Sequence, residues 1–292
     1  MSTVTAFLYY SAPLVENGRE DDWVIDGVTV PAEVTMNFRR LAVETRIADL
    51  RAGGDFSPAL DEAGFEKRTL TTRVDPAALL ERSPAALDAY RRETEALLRS
   101  MTGANAVIFF DATFRREEAS APRGGDYQSA HQRVHVDQNP RSARARALAH
   151  AGAEMERYRR FQIINVWRPL LAPVRNYALA FCDFGSIDPA AELVPTRLEY
   201  PAWLKDRENY SLKHGPSHRW YFWSGLAPDE AVIFKCHDSA SRALAQASGD
   251  GGREDLLAVS GLCPHTAFFD ENGPREGCLR TSVELRALLL HA

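Results

Sequence analysis

The chain has 292 residues, 45% hydrophobic and 26% charged, with a formal net charge of −5 and a pI near 5.9. These are ordinary values for a globular protein of one large or two small domains, long enough to bury a full core. They leave no basic footprint for nucleic acid or acidic membranes, and no apolar run approaches the roughly 18 residues of a membrane span. Met1 to Tyr10 lacks the basic start and long apolar stretch of a secretory signal. Cys182, Cys236, Cys263 and Cys278 form no CxxC pair, so neither a disulfide framework nor a zinc site is suggested. The expectation is a cytoplasmic protein with reduced thiols, acting without nucleic acid or membrane.

Residues 1–35 alternate short apolar runs with turn signals, AFLYYSAPL and then WVIDGVTVP, and read as strands and turns. The spacing in 36–52 predicts a helix ending at Gly53-Gly54. A loop and a strand follow over 55–73. Pro76 to Thr102 is helical, with Ser83-Pro84 reading as a stop followed by a new N-cap and a proline at the first helical position. Ala106 to Phe110 is a strand, and a polar loop over 115–128 leads to Arg133-Val-His-Val-Asp137. Residues 140–160 form a charged helix or helix pair. The second half is strand-rich: Phe161 to Trp167, Tyr177 to Cys182, Arg219 to Trp223, Ala231 to Lys235, Ala258 to Leu262 and Leu279 to Leu288. Short strands separated by turn signals suggest a barrel or jelly roll with the helices outside it. No internal repeat or linker interrupts the chain.

His135-x-Asp137 is the first feature with chemical content. On a strand, residues two apart share a face, so an imidazole and a carboxylate would converge. With a distant histidine, such a pair is the sequence form of a facial triad of two histidines and one carboxylate, which suits Fe(II) and leaves three coordination positions open. HxD alone is weak, since a solvated strand edge matches it by chance. Specificity comes from Cys263-Pro-His265-Thr-Ala-Phe268, followed fifteen residues after His265 by Arg280-Thr281-Ser282. A distal histidine with R-x-S at that interval recurs in 2-oxoglutarate oxygenases. There the far carboxylate of the cosubstrate needs a planar bidentate donor and a hydroxyl.

The stretches RVHVDQNPRSARAR (133–146), IINVWRPL (163–170), ALAFCD (178–183), WYFWSGLAPDEAVIFKCHDS (220–239), HTAF (265–268) and LRTSVELRALL (279–289) carry a family resemblance. The chain resembles the fungal and bacterial hydroxylase/desaturase family of Fe(II)/2-oxoglutarate-dependent oxygenases. That family includes gibberellin desaturases, aspergillic-acid-type hydroxylases and the smaller component of cephalosporin 7-methoxylation. The resemblance runs through most of 130–290 and is thinner over the first 100 residues. It implies a double-stranded β-helix, mainly β with flanking helices and an N-terminal helical elaboration. It further implies a single oxygenase domain over 1–292, with the elaboration in 1–105 and the β-helix core with an insertion in 106–292. The implied cofactors are Fe(II), 2-oxoglutarate and O2, with succinate and CO2 as by-products of hydroxylating or desaturating a small specialised metabolite. The iron ligands would be His135, Asp137 and His265, and the cosubstrate salt bridge would come from Arg280. His237 departs from the tyrosine more often found at its position.

The residues around these motifs are secondary candidates. Asn165 and Trp167 share a strand face, and Asn165 is placed to hydrogen-bond the cosubstrate carboxylate. Arg168 points to the other face unless the strand bulges, where it would bind an acidic substrate group or serve in a structural ion pair. Ser282 would assist Arg280, while Arg286 competes with Arg280 for the cosubstrate. Tyr221 and Trp223 are pocket-lining or core residues. Lys235 would lie at the barrel mouth, and Gln138 and Asn139 would orient the ligands or form a polar turn. His131, His150, His214 and His218 have no metal-ligand spacing, and the last two read as solvated. Two other readings compete: a cupin-like metal enzyme without 2-oxoglutarate, in which R-x-S has no task, and a non-catalytic partner of a modifying enzyme. A homo-oligomer is left open.

Overall fold

A computed structural model describes residues 2–14, 23–26, 35–116, 130–174, 176–199, 207–271 and 280–292. Cys278, Leu279, most of the 115–128 loop and the second half of WVIDGVTVP lie outside them. The strands are β1 (Ser2–Pro13), β2 (Trp23–Asp26), β3 (Thr35–Met36), β4 (Phe38–Asp49) and β5 (Phe65–Thr69). After helices α1 (Pro76–Leu80) and α2 (Pro84–Thr102) come β6 (Ala106–Arg116), β7 (His135–Val136), α3 (Pro140–Ala151), β8 (Arg160–Pro169) and β9 (Ala178–Cys182). The rest comprises α4 (Pro189–Glu192), β10 (Leu193–Glu199), β11 (Arg207–Leu212), β12 (Trp220–Phe222), β13 (Glu230–Asp238), α5 (Arg242–Ala247), β14 (His265–Phe268) and β15 (Thr281–His291).

Among the described residues ten strands form one sheet in the order β1-β4-β12-β9-β14-β7-β11-β10-β2-β3, and five form a second, β5-β13-β8-β15-β6. The chain steps between the sheets, from β7 to β8 to β9 and again from β12 through β13 and β14 to β15. This alternation is the double-stranded β-helix, or jelly roll. One apolar cluster fills the space between the sheets, joining Phe65, Ile163, Trp167, Phe234 and Leu288 of the smaller sheet to Leu179, Phe181, Tyr221 and Ala267 of the larger. Along β8 and β15 the alternate residues Ile164, Val166, Val283, Leu285 and Leu289 face the other way, against Leu79, Tyr90 and Leu98 of α1 and α2. The central strands β8, β13 and β15 are therefore buried on both faces.

Two expected elements differ. Residues 36–52 contain the strand β4 rather than a helix. Leu41, Val43, Thr45 and Ile47 lie on its more buried side while Ala42, Glu44 and Arg46 are exposed, a period of two carried by three β-branched residues. Its register with β1 runs from Ser2↔Asp49 to Pro13↔Phe38. Residues 258–262 form no strand; their backbone bonds go to single carbonyls elsewhere, such as Ser260 N–H to Asp61. The ladder begins only at His265. The expected helix break is present: α1 ends at Leu80, and Ser83 occupies the N-cap position of α2, without a side-chain capping bond, with Pro84 in its first turn.

Candidate metal centre and its cavity

His135 and His265 are register partners across β7 and β14, with ring centroids 4.5 Å apart. Asp137 sits in the bend just after β7. One ligand atom from each of the three lies within 4.8 Å of the others. Val134 and Val136 point away into a second apolar cluster. The His-x-Asp pair therefore converges as expected, although the strand covers only its first two residues.

Hydrogen bonds fix which ring nitrogen is free. His135 Nδ1 lies 2.8 Å from the Arg133 carbonyl and His265 Nδ1 lies 3.1 Å from the Cys263 carbonyl. A carbonyl only accepts, so each Nδ1 carries the proton and each Nε2 keeps a lone pair. Burial, reinforced by His265 nearby, lowers the His135 pKa to about 4, which keeps the ring neutral. Burial alone would raise the Asp137 pKa; the Arg286 guanidinium outweighs it and holds the carboxyl well below its usual range. Asp137 Oδ2 accepts from Asn165 Nδ2 at 2.8 Å and from Arg286 Nε at 3.2 Å. Its Oδ1 faces His135 Nε2 at 3.3 Å. Two imidazole lone pairs and one carboxylate oxygen thus meet without an acid proton among them, a donor set that fits a ferrous ion.

The cluster opens on a cavity of about 400 Å³. Residues of β2, β6, β10, β11 and α3 line it, among them Ile25, Phe110, Leu198, Arg207 and Arg146, together with His131, His135, Asp137 and Arg286.

The sequence candidates fall in several places. Asn165 projects inward from β8 but donates to Asp137, and its Oδ1 has no partner among the described residues. Trp167 shares that face, with the Arg280 guanidinium 5.1 Å from its ring centroid. Arg280 also donates to Ser282 Oγ at 3.3 Å and to the Tyr177 carbonyl at 3.0 Å. Arg286 is held by three carboxylates, Asp137, Asp111 and Glu284. Arg168 lies on the opposite face of β8, 5.0 Å from the Tyr90 ring centroid and away from the cavity. Tyr221 stacks on Phe56 at 4.3 Å and Trp223 meets Phe65 edge-on at 5.9 Å, so both belong to the core between the sheets.

Lys235 is fully buried and bridges Asp61, Asp238 and the Ser260 carbonyl, on the face of β13 away from the metal cluster. His237 borders a separate groove near α5. Gln138 lines the cavity. Asn139 caps α3 in a capping box with Ser142 and donates to Glu208 at 2.8 Å. His214 is exposed as expected. His218 is not: its side chain is 2% exposed and links Tyr10 to Glu192.

Several neighbours of the cluster escaped the sequence reading. His131 lies against His135 with centroids 4.5 Å apart. Asp111 reaches Arg286 because the two are register partners on β6 and β15. Arg146 and Arg207 meet at the cavity from a helix and a strand 61 positions apart. The approaches of Asp111, Arg146 and Arg207 depend on strand register or on long-range contact, which no local spacing encodes. His131, four positions before His135, and Glu284-x-Arg286, two apart on one strand face, carry a local signal.

The chain is 34% identical to aspirochlorine biosynthesis protein N of Aspergillus oryzae over 157 residues, 53% of this chain and 59% of that protein, less than two thirds of the relative's length. It is 27% identical to hydroxylase/desaturase efuI of Hormonema carpetanum, covering 98% of this chain and 95% of that protein. Its identity to the Fe(II)/2-oxoglutarate-dependent dioxygenase nvfI of Aspergillus novofumigatus is 28%, over 89% of this chain and 87% of that protein. A solved structure of the iron and alpha-ketoglutarate-dependent endoperoxidase NvfI superposes with a TM-score of 0.82, covering 100% of this chain and 99% of that one at 23% identity, and shares the fold. Among the described residues no helix is long and apolar enough to cross a membrane. A family model described as YDMC, oxidoreductase/YMDC permease-like domain, matches residues 8–290, nearly the whole chain, and the protein belongs to that family.

Proposed function

We propose that the chain is an Fe(II)/2-oxoglutarate-dependent oxygenase that hydroxylates or desaturates a small specialised metabolite in the cytoplasm. The observation that carries this reading is the convergence of His135, Asp137 and His265 on an open cavity, with both Nε2 lone pairs and a carboxylate oxygen aimed together. Those three residues would hold the iron. An iron held by them would supply the oxidative decarboxylation of 2-oxoglutarate by O2 to succinate and CO2.

The protein's own side chains prepare the site. The Arg133 and Cys263 carbonyls lock the two ring tautomers. Asn165 and Arg286 fix the rotation of the Asp137 carboxylate by engaging Oδ2 and leaving Oδ1 toward the histidines. Arg286 already has three protein carboxylates around it. The reading gives the cosubstrate's far carboxylate to Arg280 and Ser282, which are buried and hydrogen-bonded to each other. Arg280→Ala is expected to raise the KM for 2-oxoglutarate by at least about tenfold, since it removes a charge-assisted bidentate donor. The test is succinate formation from 2-oxoglutarate by the purified protein. Iron- and O2-dependent succinate is expected, and its persistence in a His135→Ala variant would sink the assignment.

A further inference from the structure

The cavity beside the metal cluster has an unbalanced charge distribution. Among the described residues five arginines line it, Arg115, Arg133, Arg146, Arg207 and Arg286, against the carboxylates of Asp111, Asp137 and Glu208. The carboxylates are already engaged: Asp111 and Asp137 hold Arg286, and Glu208 holds Arg141 and Asn139. Among the described residues, neither Arg146 nor Arg207 has a carboxylate within ion-pair distance. Arg146 lies over the Phe110 ring, 5.4 Å from its centroid. Burial lowers its pKa, and Arg207 and Arg286 lower it further. Arg207 is lowered in the same way, first by burial and then, against the pull of Asp111, by Arg286. Two partly buried guanidiniums facing one space repel each other and favour an anion between them.

Apolar side chains lie beside these arginines, Phe110 under Arg146 and Leu198 in register with Arg207. Phe110 on β6, Ile25 on β2 and Leu198 on β10 line the same cavity. Ser142, Ala145, Arg146 and Ala149 lie at i, i+3, i+4 and i+7, so α3 presents one face to it. That face offers small side chains and a single charge. The ligand complementary to such walls is an apolar body bearing one acidic group.

We infer that Arg146 and Arg207 bind the carboxylate of an apolar, monoanionic substrate and hold its hydrocarbon body along Phe110 toward His135 and Asp137. This rests on the oxygenase reading and supplies its substrate class. A carboxylate can also come from the cosubstrate, so the test separates the two sources.

The probes are 1-naphthaleneacetate and its neutral isostere 1-naphthaleneacetamide. They are titrated anaerobically into protein loaded with Fe(II) and 2-oxoglutarate, and into the metal-free protein. The wild-type protein is expected to bind the acid roughly tenfold or more tightly than the amide, as a hydrogen-bonded charge implies. Arg146→Gln and Arg207→Gln each erode that preference, while calorimetric titration gives an unchanged affinity for 2-oxoglutarate. Equal or absent binding of acid and amide by the wild-type protein overturns the inference without recourse to any variant's folding. So does loss of 2-oxoglutarate affinity in the variants with the acid preference intact, which assigns these arginines to the cosubstrate. If the Fe(II)-loaded wild-type protein fails to bind 2-oxoglutarate, the oxygenase reading falls, while acid selectivity is still read in the metal-free protein.

Discussion

Asn165 gives the metal cluster one of its supports, through a single 2.8 Å bond to Asp137. Removing it leaves Asp137 oriented by Arg286 alone, and loss of such a partner typically weakens a metal site about 10–100-fold. Asn165→Ala is therefore expected to lower Fe(II) affinity by that factor in an anaerobic titration; unchanged affinity would deny Asn165 this role. His237 marks a different kind of residue. Burial lowers its pKa from 6.5 to about 4, Lys235 adding to the shift and Asp238 opposing it. The folded ring stays neutral where the unfolded one is protonated. Its contribution is intact above pH 6.5 and declines as pH falls toward 4, by about 2–4 kcal/mol in all. Denaturant melts of His237→Tyr between pH 6.5 and 4.5 are expected to show a flatter loss of stability than wild type, and parallel slopes would contradict this. The metal residues were legible because His-x-Asp, a distal histidine and R-x-S are local patterns in fixed order. Asn165's bond to Asp137 was not, because it spans 28 positions and two sheets.

At the scale of elements, β13 carries the site on one face and a polar lock on the other. Phe234 and Cys236 point into the core between the sheets. Lys235 points outward to Asp61 and to Asp238, whose side chain is also fully buried and holds Arg160 and Gln162. Lys235→Met removes one of the two cations that face Asp238, Arg160 remaining, and is expected to cost up to about 3–5 kcal/mol by denaturant titration yet bind Fe(II) as wild type does once folded. A loss below 1 kcal/mol would show that the lock contributes little. The misread element was β4. Its apolar residues allowed a helical spacing, and its burial comes from pairing with β1 and β12, partners that a short window cannot see. Ile47→Ala, at a fully buried position, is expected to cost about 2–5 kcal/mol. Arg46→Ala on the exposed side should stay within about 0.5 kcal/mol. Similar losses at both positions would contradict the strand.

Across the whole molecule, the jelly roll brings together at one mouth residues from β7, β14 and β15 with others from β6, β11 and α3. The strand-rich second half predicted that architecture, since short apolar runs between turns leave few other ways to bury both faces. The N-terminal strands were harder to place because β1 and β4 extend the larger sheet far along the chain from its centre. The cavity's basic side was invisible for the same reason: Arg146 and Arg207 become neighbours only when the sheets close. A single ferrous site held by His135, Asp137 and His265 is tested by anaerobic calorimetric titration of Fe(II) into the metal-free protein and into the His135→Ala, Asp137→Ala and His265→Ala variants. One ion per chain is expected in the wild-type protein, with loss of that binding in each variant. Undiminished binding in all three folded variants would contradict it.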